Sequence, residues 1–313
     1  TEVNDESLAV TAIYFEKTKL HFSFLELEDS IDSFKIASEL VSPLINNSLR
    51  HLLVLSDGLN VNGSQLVKGF RDILPDSVSL TGGLAGDGPD FIETFVFNEQ
   101  GFPQTKSIAA IGFYGDSIQV GYGSFGGWDS FGIDRKITKS EENVLYEIDG
   151  TPALELYKSF LGDKASELPS SGLLFPLSLR TEYDQIPVVR TILSINEMEQ
   201  SITFAGDMIE GAYVKFMKAN VDRLINGSIK AAQTSLEKNQ DISPEFALLI
   251  SCVGRKLVLK QLVEEEVEAA SQILGKETVI TGFYSYGEIS PFSSGAQCEL
   301  HNQTMTITTF SER

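Results

Sequence analysis

The sequence predicts an α/β protein, with α+β as the alternative, made of two pseudo-repeated halves that are each a mixed β-sheet flanked by helices and pack closely together. Three observations carry this expectation. The segment Leu80-Thr81-Gly82-Gly83-Leu84-Ala85-Gly86-Asp87-Gly88 is echoed by Ile280-Thr281-Gly282-Phe283-Tyr284-Ser285-Tyr286-Gly287-Glu288-Ile289. Each copy sets Thr-Gly at the end of an apolar run and closes on a glycine followed by an acid. Upstream of each copy lies a short apolar run stopped by glycine, Leu52 to Gly58 and Leu248 to Gly254, the pattern of a buried strand. Between run and echo, apolar residues recur at helical spacing. They are Leu66, Val67, Phe70, Ile73 and Leu74 in the first half; in the second, Leu262, Val263, Ala270, Ile273 and Leu274 recur with Glu266 among them, and Gly275 is the expected cap.

Taken in order, residues 1–44 form an N-terminal strand and helix segment, with 29–41 as an amphipathic helix. The first half follows over 45–143 and the second over 144–313. After each Thr-Gly loop comes hairpin-like sequence. Phe91 to Phe97 and Ile108 to Tyr114 flank Gly101-Phe102-Pro103, and Gln297 to Leu300 and Thr304 to Phe310 flank His301-Asn302-Gln303. Gly121 to Gly132 is a glycine-rich strand and loop. Thr151-Pro152-Ala153 starts a helix with Thr151 as cap and Pro152 in the first position; Leu154, Tyr157 and Leu161 share a face and Gly162 ends it. Val188 to Ile195 and Ser201 to Phe204 are strand-like, with turns at Gly206-Asp207 and Gly211, and Val221, Leu224, Ile225 and Leu236 mark another helix. No low-complexity linker separates the halves, so they are expected to pack rather than swing.

Composition narrows the function. A chain of 313 residues exceeds one ordinary core. Its 24 basic and 44 acidic residues leave a net charge of -20, which repels phosphate backbones and anionic lipid. Neither nucleic acid nor membrane is an expected partner. No apolar run approaches the roughly 18 residues of a membrane span, and Thr1 to Ser7 is polar and acidic, unlike a signal peptide. Cys252 and Cys298 are the only cysteines and lack CxxC spacing, so a reducing cytoplasm is the expected location.

Several segments together carry a resemblance: Gly-Gly-Leu-Ala-Gly-Asp at 82–87, Asp149-Gly150-Thr151-Pro152-Ala153-Leu154-Glu155-Leu156-Tyr157, Cys252-Val253-Gly254-Arg255, Gly282 to Ile289, and Leu300-His301-Asn302-Gln303-Thr304. They resemble the successive signatures of the FIST family, in which N-terminal and C-terminal FIST regions occur together. The resemblance implies a sensory role in signal transduction. Such regions occur beside histidine kinases, chemotaxis modules and cyclic-dinucleotide enzymes, and in F-box proteins; amino acids and related metabolites are proposed ligands. No kinase, receiver or F-box segment is visible, so a separate signalling protein such as a histidine kinase is the implied partner. Some bacterial members bind haem and respond to nitric oxide. The alternative is therefore a haem-based nitric-oxide sensor acting on a histidine kinase or cyclic-dinucleotide enzyme. A non-catalytic interaction scaffold is the second alternative.

The candidate ligand-binding residues gather on the echoed loops. In strand geometry Tyr284 and Tyr286 share a face that Glu288 continues. Arg255, just beyond a buried strand, offers a guanidinium for a carboxylate. Asp87 with Gly83 and Gly86 contributes from the other half, and Gly287 lets backbone approach. Each has a plainer reading: glycines for tight turns, tyrosines as core, Arg255 in a salt bridge. His301, read in a hairpin turn, is the candidate haem ligand, with a hydrogen-bonded structural histidine as its plainer reading. No metal-spaced cluster appears. An enzyme is not expected: a Cys252, His301 and Glu288 triad has no supporting spacing, and the glycine loop matches neither a P-loop nor GxGxxG.

Overall fold

The computed structural model describes residues 2–5, 7–27, 32–181, 187–237, 243–292 and 295–313. The first half runs β1 (Lys19–Glu26), α1 (Ser33–Val41), β2 (Leu49–Ser56), α2 (Gly63–Ile73) and β3 (Ser79–Ala85), then a small hairpin, β4 (Val96–Phe97) and β5 (Pro103–Gln104), and β6 (Ser107–Tyr114). Strand β7 (Ile118–Phe125) opens a second round that is interrupted by a separate sheet. That insert comprises β8 (Trp128–Glu141), β9 (Val144–Ile148), β10 (Thr151–Pro152), α3 (Ala153–Leu161), β11 (Leu177–Arg180), β12 (Val188–Arg190), β13 (Ile192–Asn196), β14 (Ser201–Phe204) and β15 (Tyr213–Ala219). The second round resumes with α4 (Val221–Glu237), β16 (Phe246–Cys252), α5 (Val253–Leu259), α6 (Val263–Leu274), β17 (Val279–Pro291), β18 (Cys298–His301) and β19 (Met305–Glu312).

The predicted α/β class and the two matched halves are present, and the halves share one sheet. Its order is β1-β6-β2-β3-β17-β16-β19-β7, with β18 on β17. Each half contributes the same pattern, and β3 meets β17 antiparallel at the centre. The echoed Thr-Gly has a packing cause. Gly82 lies opposite Val54 on parallel β2, and Gly282 opposite Leu249 on parallel β16. A Cβ there would lie 1.9 Å from the Val54 carbonyl oxygen and 2.0 Å from that of Leu249. Both glycines are fixed by close backbone approach at one repeated position.

Local chemistry sets the helix starts. Asp32 accepts from the Phe34 and Lys35 amides at the start of α1, and Asn62 accepts from those of Ser64 and Gln65 at the start of α2. Of the expected helix over 29–41, residues 29–31 lie outside the described residues. The expected second-half helix over 262–274 is α6, ended by Gly275 at φ 98°, and a short α5 precedes it that the spacing does not mark. Thr151 is not a cap: Thr151 and Pro152 pair with Ile148 and Glu147 as β10, and α3 starts without a side-chain cap.

The expected hairpins are rearranged. The turn at Gly101-Phe102-Pro103 joins only β4 to β5, while β6 returns between β1 and β2. Strands β18 and β19 do not pair with each other; β18 lies on β17, and β19 crosses to β16 and β7. Intervening strands satisfy the backbone groups that a local hairpin would have paired. The smaller sheet has the order β12-β11-β15-β8-β9-β14-β13, with β10 on β9. The expected boundary at 143/144 runs through the turn between β8 and β9, so this sheet draws on both sides of it.

The large sheet curls until distant strands touch. Phe113 on β6 stacks on Phe310 of β19 at 5.1 Å, and Thr308 donates to Thr81 of β3 at 2.9 Å. His51 fills the interior, fully buried, with Nδ1 2.8 Å from Ser79 Oγ and Nε2 3.1 Å from Thr81 Oγ1. Helices cover the outer face: α1 and α2 over Leu52, Val54 and Leu80, and α4 and α6 over Leu249 and Ile307. The glycine-rich stretch beginning at Gly121 lets α4 seat on β7. A Cβ at Gly121 would lie 1.9 Å from the Ser235 carbonyl oxygen. Gly121→Val is expected to cost ~2–3 kcal/mol by overpacking in chemical denaturation. Gly126→Ala, whose Cβ meets nothing nearer than 3.8 Å, should cost less than about 1 kcal/mol.

Candidate functional site

Arg255 is fully buried and spent on the protein. Its Nε and Nη2 donate to Glu266 Oε2 at 3.1 and 2.8 Å, Nη1 to the Gly126 carbonyl at 3.0 Å and Nη2 to the Leu224 carbonyl at 2.8 Å. Glu266 also accepts from Ser251 Oγ at 3.0 Å, and Tyr284 Oη lies 3.5 Å away. This buried network ties α5, α6, β16 and the start of α4 together. Arg255 is therefore a structural cation and not a ligand-recognition residue, and Tyr284 faces α6 beside it. Burial pushes the Tyr284 hydroxyl pKa up, and the Glu266 charge adds to that.

Tyr284 and Tyr286 pack in one cluster with Val253. A β-bulge in β17 falls between Ser285 and Gly287, so Glu288 does not continue the face of the tyrosines and lies with Ser285 instead. Tyr286 is buried, donates to Asp87 Oδ1, and lies 2.8 Å from the Gly88 carbonyl. Its ring stacks on Phe91 at 4.8 Å with 3° between planes. Burial works against the Asp87 carboxylate, yet hydrogen bonds from Tyr286 and from the Ile92 and Glu93 amides outweigh it and hold its pKa low. The two echoed loops thus bind each other. Gly83, Gly86 and Gly287 pack against Ile250, Val253 and Leu300, with Cβ approaches of 2.8, 3.0 and 3.0 Å.

Glu288 is fully buried on the side of β17 that faces Thr304. Its Oε2 accepts from the Thr304 amide at 3.1 Å and hydroxyl at 2.9 Å, and its Oε1 lies 2.5 Å from Ser285 Oγ. Burial pushes its pKa up to about 8 against these hydrogen bonds and the Arg255 charge. Ser285 Oγ donates to Glu288 and also lies 3.3 Å from the Ser251 carbonyl. Glu288 is a satisfied interior acid.

His301 is the last residue of β18, opposite Glu288, and not part of a turn. Its Nε2 donates to the Ser290 carbonyl at 2.7 Å, its ring lies 4.0 Å from Phe292, and burial lowers its pKa to about 4. A buried ring with that nitrogen engaged does not fit an axial haem ligand. Cys252 is likewise buried, and burial pushes its thiol pKa up. No hydrogen bond joins Cys252, His301 and Glu288 among the described residues.

The open space lies elsewhere, in a cleft of about 1090 Å³ between the two sheets. One wall is the start of α1 and α2 with the loop after β2, including Phe34, Leu59, Asn60, Asn62 and Gln65, with Phe91 beside them. The other is the β8–β9 turn with β13 and β14, including Glu142, Asn143, Leu193, Ser194 and Thr203. This is a crevice beyond the carboxyl end of a strand, where α/β sheets gather ligands. None of the sequence-predicted site residues lines it. Tyr286 supports it from behind through Phe91. The signal for its walls was present as helix caps and turn residues, which reveal no partner wall until the smaller sheet is placed.

The N-terminal FIST domain model matches residues 1–151 and the C-terminal FIST domain model residues 153–291. The chain belongs to the FIST family. FIST domains are sensory domains linked to signal transduction. An uncharacterised protein of Methanocaldococcus jannaschii is 22% identical over 201 residues, covering 60% of this chain and 38% of that protein. This FIST chain thus matches well under half of that relative's length. A crystal structure of cyanuric acid hydrolase from A. caulinodans aligns over 95% of this chain and 99% of its own, with a TM-score of 0.21 and 9% identity. Among the described residues no helix is long and apolar enough to cross a membrane.

Two measurements check these assignments. Arg255→Met leaves Glu266 buried without its cation and is expected to cost about 3–5 kcal/mol in urea denaturation; a ligand-gripping surface arginine would cost almost nothing. For Glu288 the folded pKa lies above the unfolded one, so the folded state holds a proton the unfolded state releases. Wild-type stability relative to Glu288→Gln should fall by a few kcal/mol between about pH 4.5 and about pH 8 and be level above that window.

Proposed function

We propose that this FIST chain is a ligand-receiving sensory module: the cleft between the two sheets takes a small polar molecule, and its occupancy is passed to a separate signalling protein such as a histidine kinase. The cleft is the observation that carries this reading, because its walls belong to different sheets. Asp207, in the loop after β14, accepts from Asn62 and Gln65 of the opposite wall at 2.8 and 2.6 Å. Arg190 of β12 reaches the carbonyls of Asp207 and Leu300 at 3.2 Å each. A ligand touching both walls acts on this same seam, and any difference in its affinity for two arrangements shifts their populations.

The reading is one of binding rather than catalysis, since the candidate nucleophile Cys252 is buried with its pKa raised. Two buried free thiols suit a reducing cytoplasm. In a thermal-shift screen of amino acids and related metabolites, a cognate ligand is expected to raise the wild-type melting temperature. The rise should vanish in Ser194→Trp, which fills the cleft from an exposed position, with the unliganded melting temperature unchanged. A rise that survives Ser194→Trp places the ligand elsewhere and overturns the assignment of the cleft.

A further inference from the structure

The strands that end the two sheets are not alike. Strand β7 is largely buried beside α4, β12 is three residues long, and β13 carries a register shift between Ile192 and Ser194. Cover, shortness and a bulge each keep an edge from pairing with another chain. Strand β1 has none of these three. It runs for eight residues, contains no proline, and pairs with β6 without a register shift, from Lys19 opposite Tyr114 to Glu26 opposite Ser107. Its other side meets no strand among the described residues, so alternate backbone N–H and C=O groups point outward. Directly opposed residues share a face, and Leu20 and Phe22 lie opposite Phe113 and Ile111. Leu20, Phe22 and Phe24 therefore carry the apolar interior face of β6 past the last strand. Phe22 and Phe24 stack at 6.4 Å, and Leu20 and Phe22 remain 45% and 37% exposed.

We propose that β1 is the docking edge for a second copy of this chain, paired antiparallel about a two-fold axis at Phe22 so that one sheet runs across the dimer. The strand is complementary to itself in this register. Phe22 meets Phe22 of the second copy and Leu20 meets Phe24, apolar against apolar on the shared face, while His21 meets Ser23 and Lys19 meets Leu25 on the other face. Moving the axis to Ser23 sets Leu20 against Glu26 and loses the match. Charge favours the same occupant. Antiparallel pairing brings the Lys17 and Lys19 end of each strand to the Glu26 end of the other. The net charge of -20 opposes self-association in general, but no acid falls between Lys17 and Leu25. An eight-residue edge makes a small interface, so the dimer is a weak one, with a dissociation constant of about 1–100 μM.

The test is sedimentation velocity of the full chain over about 1–200 μM, with amide hydrogen exchange of β1 followed across the same range. A reversible monomer–dimer equilibrium is expected, in which amides of residues 19–26 gain protection as the dimer fills. Phe22→Glu sets two carboxylates opposite each other at the axis and should weaken the dimer at least about ten-fold, with the melting temperature of the dilute monomer unchanged. Where Phe22→Glu lowers that temperature, a cysteine pair decides. Both native cysteines are buried, so oxidation of Phe22→Cys should link two chains through position 22. Leu20→Cys should not link, because its two copies lie four residues of strand, about 13 Å, apart. A monomer throughout the range overturns the proposal. A dimer that survives Phe22→Glu, leaves the exchange of β1 unchanged, or links equally from both positions is made by another surface and overturns it as well.

Discussion

The antiparallel meeting of β3 and β17 is the constraint on which the rest of the molecule depends. It turns two matched halves into one sheet, and both strands approach their parallel neighbours so closely that Gly82 and Gly282 have no room for a side chain. The bulge at Tyr286 belongs to this seam. It sends Glu288 toward Thr304 and leaves Tyr286 free to join Asp87 and stack under Phe91. One irregularity in register thus separates an interior acid from the support of the cleft.

Buried polar groups then make this arrangement specific. The Arg255–Glu266 pair is fully enclosed and its donors reach carbonyls on two further segments. Such a pair contributes little net stability over an apolar replacement, but losing one member leaves the other charge stranded. His51 and its hydroxyl partners, and Glu288 with Ser285 and Thr304, act similarly inside the curl of the sheet. Each draws its partners from more than one segment of the chain, so each is satisfied only in the native arrangement.

The smaller sheet is inserted after β7 and supplies the second wall of the cleft. Its seam with the large sheet joins polar contacts at Asp207 and Arg190 to an apolar cluster in which Leu173, Leu193 and Ala205 meet Val253 and Tyr286. The polar part of the seam, beside the cleft, is sensitive to what occupies that space, because exchanging protein for ligand hydrogen bonds changes its net energy little. On the proposed function, sensing lies at the junction of the sheets and the echoed loops are the frame.

The sequence by itself determined the duplication, the principal strands and helices, and the family, because hydrophobic period, caps and glycine stops are local properties. It also held one unread signal. Glu266 recurs among apolar residues on the buried face of α6, which marks a charge needing a buried partner, and that partner is Arg255. The tertiary structure alone decided that β18 and β19 separate, that the bulge at Tyr286 reverses the facing of Glu288, and that a second sheet closes a cleft over Asn60, Gln65 and Asn143. Those outcomes depend on pairings between residues distant in the chain, whose energies no local pattern records. The echo predicted the frame; the insert between its two copies closed the cleft.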